Sequence, residues 1–142
     1  MIHIIGSDGS REVAAEDFFL GLYQTSLEED EIITAISVPI RKGSKSTYLK
    51  FMQPASRFAI VGCAALVSDE GVRVAFSGVS AKPFRDKTVE NALKGNFSLE
   101  SIADATANAA EGVSILGDHY ASESYRKQMA KVYCKRALTS LL

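Results

Sequence analysis

Residues 47–68, TYLKFMQPASRFAIVGCAALVS, constrain the fold more than any other part of the chain. They open as an alternating strand with Tyr48, Lys50 and Met52 on one side and Leu49 and Phe51 on the other. Gln53-Pro54-Ala55-Ser56 turns the chain, and residues 58–67 follow as a nearly unbroken apolar run. Such a run has to be buried, and two strands joined by so short a link pair antiparallel. Lys50 stands in the middle of the first strand, where its ammonium needs either water or an anionic, hydrogen-bonding partner.

Further strands precede and follow this pair. Residues 1–14 read as a hairpin, with Ile2, Ile4 and Ile5 leading into the Asp8-Gly9 turn and Arg11-Glu12-Val13 leading out. Residues 15–23 can form a short helix with Phe18, Phe19 and Leu22 on one side. Residues 32–38 alternate, Ile32, Thr34, Ile36 and Val38 against Ile33, Ala35 and Ser37, until Pro39 ends the pairing. Beyond the central pair, Asp69-Glu70-Gly71 makes another tight turn and Val72, Val74 and Phe76 alternate with Arg73, Ala75 and Ser77. The expectation is a four-stranded antiparallel meander that begins with residues 32–38.

Past Gly78 the apolar period changes from two to three and four. Asp86 can cap a helix that ends before Gly95, and Ser98 a second that carries Ile102, Thr106 and Ala110 inward until Gly112. A third begins near Ser122, with Tyr125, Met129, Val132, Tyr133, Ala137 and Leu141 as its apolar stripe and Arg126 and Lys127 elsewhere. Strands first and helices after argue an α+β fold: an antiparallel sheet of three to four strands with about three helices packed on one face. The division expected is a hairpin with a short helix at 1–25, then an α+β domain at 26–142.

The chemistry that the sequence leaves out is equally informative. A formal charge of -1 over 142 residues gives no long-range field for nucleic acid or anionic lipid. No apolar run is long enough to span a bilayer, and MIHIIGSDGS lacks the basic start of a signal peptide, so a cytoplasmic chain is expected. Cys63 and Cys134 have no metal-ligand spacing and read as buried thiols, and Glu28-Glu29-Asp30-Glu31 reads as a solvated acidic corner rather than a metal site. The basic loop at 41–46 lacks the glycine spacing of a phosphate-binding loop. His3 and His119 are the two histidines, neither lies in a catalytic motif, and no G-x-S-x-G elbow occurs. No catalytic set and no metal site are expected.

The order of short motifs nevertheless resembles one family. Asp17-Phe18-Phe19 with Gly21-Leu22-Tyr23-Gln24-Thr25, Glu31-Ile32-Ile33 running to Val38-Pro39, YLKFMQPASRFAIVGCAALV, Phe76-Ser77-Gly78-Val79 with Pro83-Phe84-Arg85, and His119-Tyr120-Ala121-Ser122 with Tyr125-Arg126 stand in sequence. Together they are similar to the carboxy-terminal domain in the FAD-carrying medium subunit of the carbon monoxide dehydrogenase and xanthine dehydrogenase family, the molybdenum hydroxylases. Arg57 stands where many relatives carry an acid. The resemblance implies that residues 1–25 are the last piece of a flavin domain, and that the carboxy-terminal domain forms one wall at FAD. In that picture Lys50 matches the family's flavin-contacting lysine and Ile33 an aliphatic residue close to the ring. Lys50 as a strand lysine reaching water, and Ile33 as ordinary core, are the readings the residues alone support. The implied partners are a flavin-binding amino-terminal domain, an iron–sulfur subunit and a molybdenum subunit, with a homodimer of the isolated chain as a further association. FAD would belong to the intact subunit rather than to this chain alone. The rival expectation is a docking module that keeps the fold without binding flavin.

Overall fold

The computed structural model describes all residues, Met1–Leu142, as two compact units, residues 1–41 and 42–142. In the first unit, β1 (Ile2–Gly6) and β2 (Gly9–Val13) form the expected hairpin. A short helix, α1 (Ala15–Phe18), and a small hairpin of β3 (Phe19–Gly21) and β4 (Gln24–Thr25) follow. The helix expected to reach Tyr23 stops at Phe18, because the chain reverses at once and Tyr23 takes a left-handed φ of 56° that a helix cannot accommodate. β5 (Ile32–Ile36) then pairs antiparallel with β1, giving the order β2-β1-β5.

That pairing corrects one expectation. The strand at residues 32–38 is not the first strand of the meander. The cause is local to the hairpin: β1 has two edges, β2 satisfies one, and β5 hydrogen-bonds the other. Ile2, Ile4 and Phe18 form the small core beneath this sheet.

In the second unit β6 (Lys45–Met52), β7 (Ala59–Ser68), β8 (Gly71–Ser77) and a short β9 (Phe84–Arg85) are paired in chain order, all antiparallel. The meander is therefore present with four strands, its fourth supplied by residues 84–85. The link after Phe51 carries a bulge and closes on Gln53, whose side-chain oxygen accepts from Ser56 N and Oγ. Three helices follow: α2 (Lys87–Ala92), α3 (Leu99–Thr106) and α4 (Glu123–Thr139). Their caps are those read from the sequence: Asp86 accepts from Val89 N at 3.1 Å, Ser98 shares a reciprocal capping box with Ser101, and Ser122 accepts from Tyr125 N at 3.2 Å.

α4 lies across β6 and β7, α2 lies on β8, and α3 contacts both of these helices. The sheet thereby has one covered face, where Val61, Cys63 and Ala65 of β7 and Val74 and Phe76 of β8 are buried. Cys134 of α4 belongs to the same core, and both cysteines are fully buried free thiols. The apolar stripe of α4 keeps part of the expected one, since Ala137 and Leu141 are buried and Met129 and Tyr133 pack against the core. Arg126, Ala130, Cys134, Ala137 and Leu138 are its buried residues, whereas Tyr125 is 45% exposed. The expectation that Arg126 points elsewhere fails because its guanidinium serves the strand ends: Nη1 donates to Ile60 O at 2.7 Å and Gly78 O at 2.8 Å, and Nη2 donates to Asp118 at 2.5 Å. Partial burial works to raise the Asp118 carboxyl, but donation from Ala121 N, Tyr120 N and Arg126 outweighs it and holds the group below the usual carboxylate range. No helix is long and apolar enough to cross a membrane.

Two outcomes are expected from this packing. Ala65→Asp places a carboxylate on the covered face, costs several kcal/mol (about 3–5) and unfolds the second unit, as circular dichroism on heating would reveal; a melting point within a degree or two of the parent would contradict the placement of β7. In the first unit, Arg11 donates to both oxygens of Glu31 at 2.6 Å, and this pairing holds the Glu31 carboxyl down to about 2. A depressed carboxyl stabilises above its unfolded value and loses that contribution as pH falls through its folded value. Backbone amide shifts of the first unit should therefore change as pH falls from about 4.5 to about 2, with the change moved upward in Arg11→Met.

Candidate functional site

The uncovered face of the second unit follows directly from strand register. Lys50, Gly62 and Ser77 stand opposite one another across β6, β7 and β8; Tyr48, Ala64, Ala75 and Arg85 make the next row, and Ser46, Leu66 and Arg73 the third. The middle of this face is built of small side chains. At Gly62 a methyl group would run into the Tyr48 hydroxyl and into Ser77 Oγ 2.5 Å away, so the phenol uses the space a side chain would fill. The second and third rows enclose a shallow trough of about 500 Å³, lined by Tyr48, Ala64, Leu66, Arg73, Ala75 and Arg85.

Both basic walls of the trough are held in place. Arg73 Nη2 donates to Glu70 at 2.8 Å. Arg85 donates through Nε to Glu90 Oε1 at 2.9 Å and through Nη2 to Oε2 at 2.5 Å, while Glu90 Oε1 also accepts from Val74 N at 3.0 Å. Glu90 is 8% exposed, so a buried carboxylate anchors the arginine at the sheet edge.

Lys50 lies one row beyond the trough. It is exposed, its ammonium meets no carboxylate or carbonyl oxygen, and its neighbours along the strand on the same side are Tyr48 and Met52, which are 54% and 41% exposed. The alternation read from the sequence thus places Lys50 on the face that no helix covers. An unpaired ammonium beside an aromatic ring and an open floor can attract negative charge on a planar ligand.

Ile33 belongs to the first unit. It is paired opposite Ile4 on β5 and is 42% exposed, as are most of the large apolar residues of that strand: Ile32 is 64% and Ile36 67% exposed. The expectation of ordinary core does not describe such a residue. An exposed branched side chain on a paired strand can exclude water from an apolar ligand surface laid against it.

Of the other residues singled out in the sequence, His119 is exposed and lies against Tyr120 with ring centroids 3.8 Å apart and planes tilted by 43°, and Asp118 accepts from Tyr120 N and Ala121 N instead of orienting it. Glu28, Asp30 and Glu31 serve the chain itself: Asp30 accepts from Ser7 N and Glu31 from Arg11 and Glu28 N. No group of three or more acids, histidines and cysteines is arranged to hold a metal ion. Sequence reasoning missed the contact of Tyr48 with Gly62 and Ser77, for which the only signal was a glycine inside a strand.

Residues 46–141 match the family model of the CO dehydrogenase flavoprotein C-terminal domain, and residues 1–41 match the FAD binding domain in molybdopterin dehydrogenase. The chain is 30% identical over 142 residues to the glyceraldehyde dehydrogenase medium chain of Sulfolobus acidocaldarius, covering 96% of this chain and 50% of that one. It is also 30% identical to the carbon monoxide dehydrogenase medium chain of Hydrogenophaga pseudoflava, covering 95% and 50%. Among solved structures, quinoline 2-oxidoreductase from Pseudomonas putida 86 superimposes with a TM-score of 0.89 at 25% identity, covering 99% of this chain and 51% of that one. Carbon monoxide dehydrogenase from Hydrogenophaga pseudoflava does so with a TM-score of 0.84 at 29% identity, again covering 99% and 51%. The chain spans about half the length of the curated relatives it matches.

Proposed function

The chain belongs to the CO dehydrogenase flavoprotein C-terminal domain family, and from that membership we propose that it supplies the carboxy-terminal part of the FAD-containing medium subunit of a molybdenum-dependent oxidoreductase. The observation that carries the reading is the match of two consecutive family models, one to each compact unit, with the boundary of the first at the boundary of the unit. Residues 1–41 then continue a flavin domain, and residues 42–142 are the carboxy-terminal domain that supplies one wall of the flavin site.

FAD, when bound in such a subunit, supplies the electron-accepting ring that lies between iron–sulfur clusters and an external acceptor. This chain's residues fit a supporting part at that ring. Lys50 has an ammonium without a protein partner on an uncovered face, suited to negative charge on the ring or its pyrophosphate. Ile33 offers an exposed aliphatic surface that excludes water. Phosphate-gripping glycine loops are absent from the sequence, so the main hold on FAD comes from a flavin-binding amino-terminal domain. An iron–sulfur subunit and a molybdenum subunit complete the complex, and substrate chemistry resides with the latter.

The purified chain is expected to be colourless and to bind FAD only weakly, because one ammonium and an apolar wall do not replace a phosphate cradle; gel filtration followed by absorbance spectroscopy checks this. Mixing the chain with a matching flavin domain tests the wall directly. Lys50→Ala should lower flavin affinity by about tenfold or more and Lys50→Arg should retain most of it, since a charge-assisted hydrogen bond is worth roughly 1.5–3 kcal/mol. Unchanged affinity in both variants, with assembly intact, would instead make the chain a docking module that keeps the fold without flavin work.

A further inference from the structure

The helix-free side of the first unit carries a cluster that the flavin reading does not use. Glu12 on β2 is the cross-strand partner of His3 on β1, and Ser37, one residue past β5, stands diagonally across from His3, opposite Met1. His3 Nδ1 lies 3.0 Å from Glu12 Oε1, and His3 Nε2 lies 2.6 Å from Ser37 Oγ. A carboxylate only accepts, so Glu12 selects the imidazole tautomer with its proton on Nδ1. Nε2 is then left as the acceptor for the Ser37 hydroxyl. The order of groups is carboxylate, imidazole, hydroxyl, the arrangement that turns a serine into a nucleophile.

Each member is fixed by backbone pairing. His3 and Glu12 are direct cross-strand partners. Ser37 N donates to Met1 O at 2.9 Å, and Thr34 Oγ1 donates to His3 O at 3.3 Å. Opposite His3 on β5 is Ala35, which leaves the imidazole unobstructed on that side, and the register shifts by a bulge immediately after. Two residues further along β1, on the same side, Ile5 faces Ile32, and they are 42% and 64% exposed. Ser37 is exposed, and Met1, which pairs with it and is 47% exposed, is the apolar side chain beside its hydroxyl.

We infer that Ser37, His3 and Glu12 form an acyl-accepting site for esters with a short apolar acyl group and a good leaving group. Ser37 Oγ attacks the ester carbonyl while its proton passes to His3 Nε2. The bond from carbon to the leaving oxygen breaks, the leaving group departs as an anion, and the acyl group stays on Ser37. The imidazolium then gives its Nε2 proton to solvent; water attacks the acyl carbon while His3 Nε2 takes the water's proton, and that proton goes to Ser37 Oγ as the acyl–oxygen bond breaks and the acid is released. Ser37 N is engaged by Met1 O, so the oxyanion is left to solvent. That limits the site to activated esters, whose leaving group needs no proton. Glu12 acts through His3 and is a positioning residue.

The test uses the whole chain and p-nitrophenyl butyrate, with release of p-nitrophenolate followed in time and the acylated residue located by mass spectrometry of peptides. The expected result is butyrylation of Ser37 in the parent and none at that peptide in Ser37→Ala. His3→Gln should slow acylation by about a hundredfold or more, the low end of what a positioned base contributes. Glu12→Gln should slow it less, and Glu12→Asp should restore the parent rate, which a purely structural role for the carboxylate would not require. Circular dichroism verifies that each variant is folded; should His3→Gln not fold, the Glu12 pair carries the comparison. Butyryl groups found on lysines or other hydroxyls but not on Ser37, or an equal rate in folded His3→Gln, would overturn the inference.

Discussion

The alternation of β7 is the constraint on which the second unit depends. Val61, Cys63 and Ala65 point to the helices and are buried, so Gly62, Ala64 and Leu66 must point the other way. In this unit no helix packs on that second set, and the Tyr48 phenol and Ser77 Oγ crowd Gly62. A shift of one residue in the pairing with β6 would put Lys50 on the same face as Val61 and Cys63, either burying the ammonium or sending valine and cysteine to water. The uncovered lysine and the core are two outcomes of one register.

The ends of the central strands are held by a charge. Ile60 O and Gly78 O lie where β7 begins and β8 has just ended, and both accept from one guanidinium on α4. Gly78 itself has a φ of 75°, and a methyl group there would collide with Ala59 O. The glycine is required both by the backbone angle and by the closeness of the neighbouring strand. An arginine reading from composition alone places it in solvent; its burial depends on carbonyls 66 and 48 residues away in the chain.

Legibility followed the range of the interaction. Caps at Asp86, Ser98 and Ser122, the turn at Gly71 and the alternation that exposes Lys50 are set by neighbours within four residues, and all were readable. The partner of β5 was not, because any antiparallel edge satisfies an alternating strand, and the choice of β1 over β6 is a tertiary one. The same limit hid the cluster of Glu12, His3 and Ser37, which no spacing in a single segment could announce. Ile33 was placed on the correct strand, but its exposure follows from where that strand pairs.

The carboxylate of Asp86 joins elements that the chain separates. Oδ1 accepts from Val89 N at the start of α2, and Oδ2 accepts at 2.7 Å from Ala110 N in the turn that follows α3, where Ala110 has a φ of 58°. Helices of six and eight residues are each too short to persist in water alone. With one buried side chain bonded to both, neither can open without exposing the charge that anchors the other. The two short helices are therefore a single cooperative element whose hinge is one residue, and the span between Asp86 and Ala110 folds or frays as a whole.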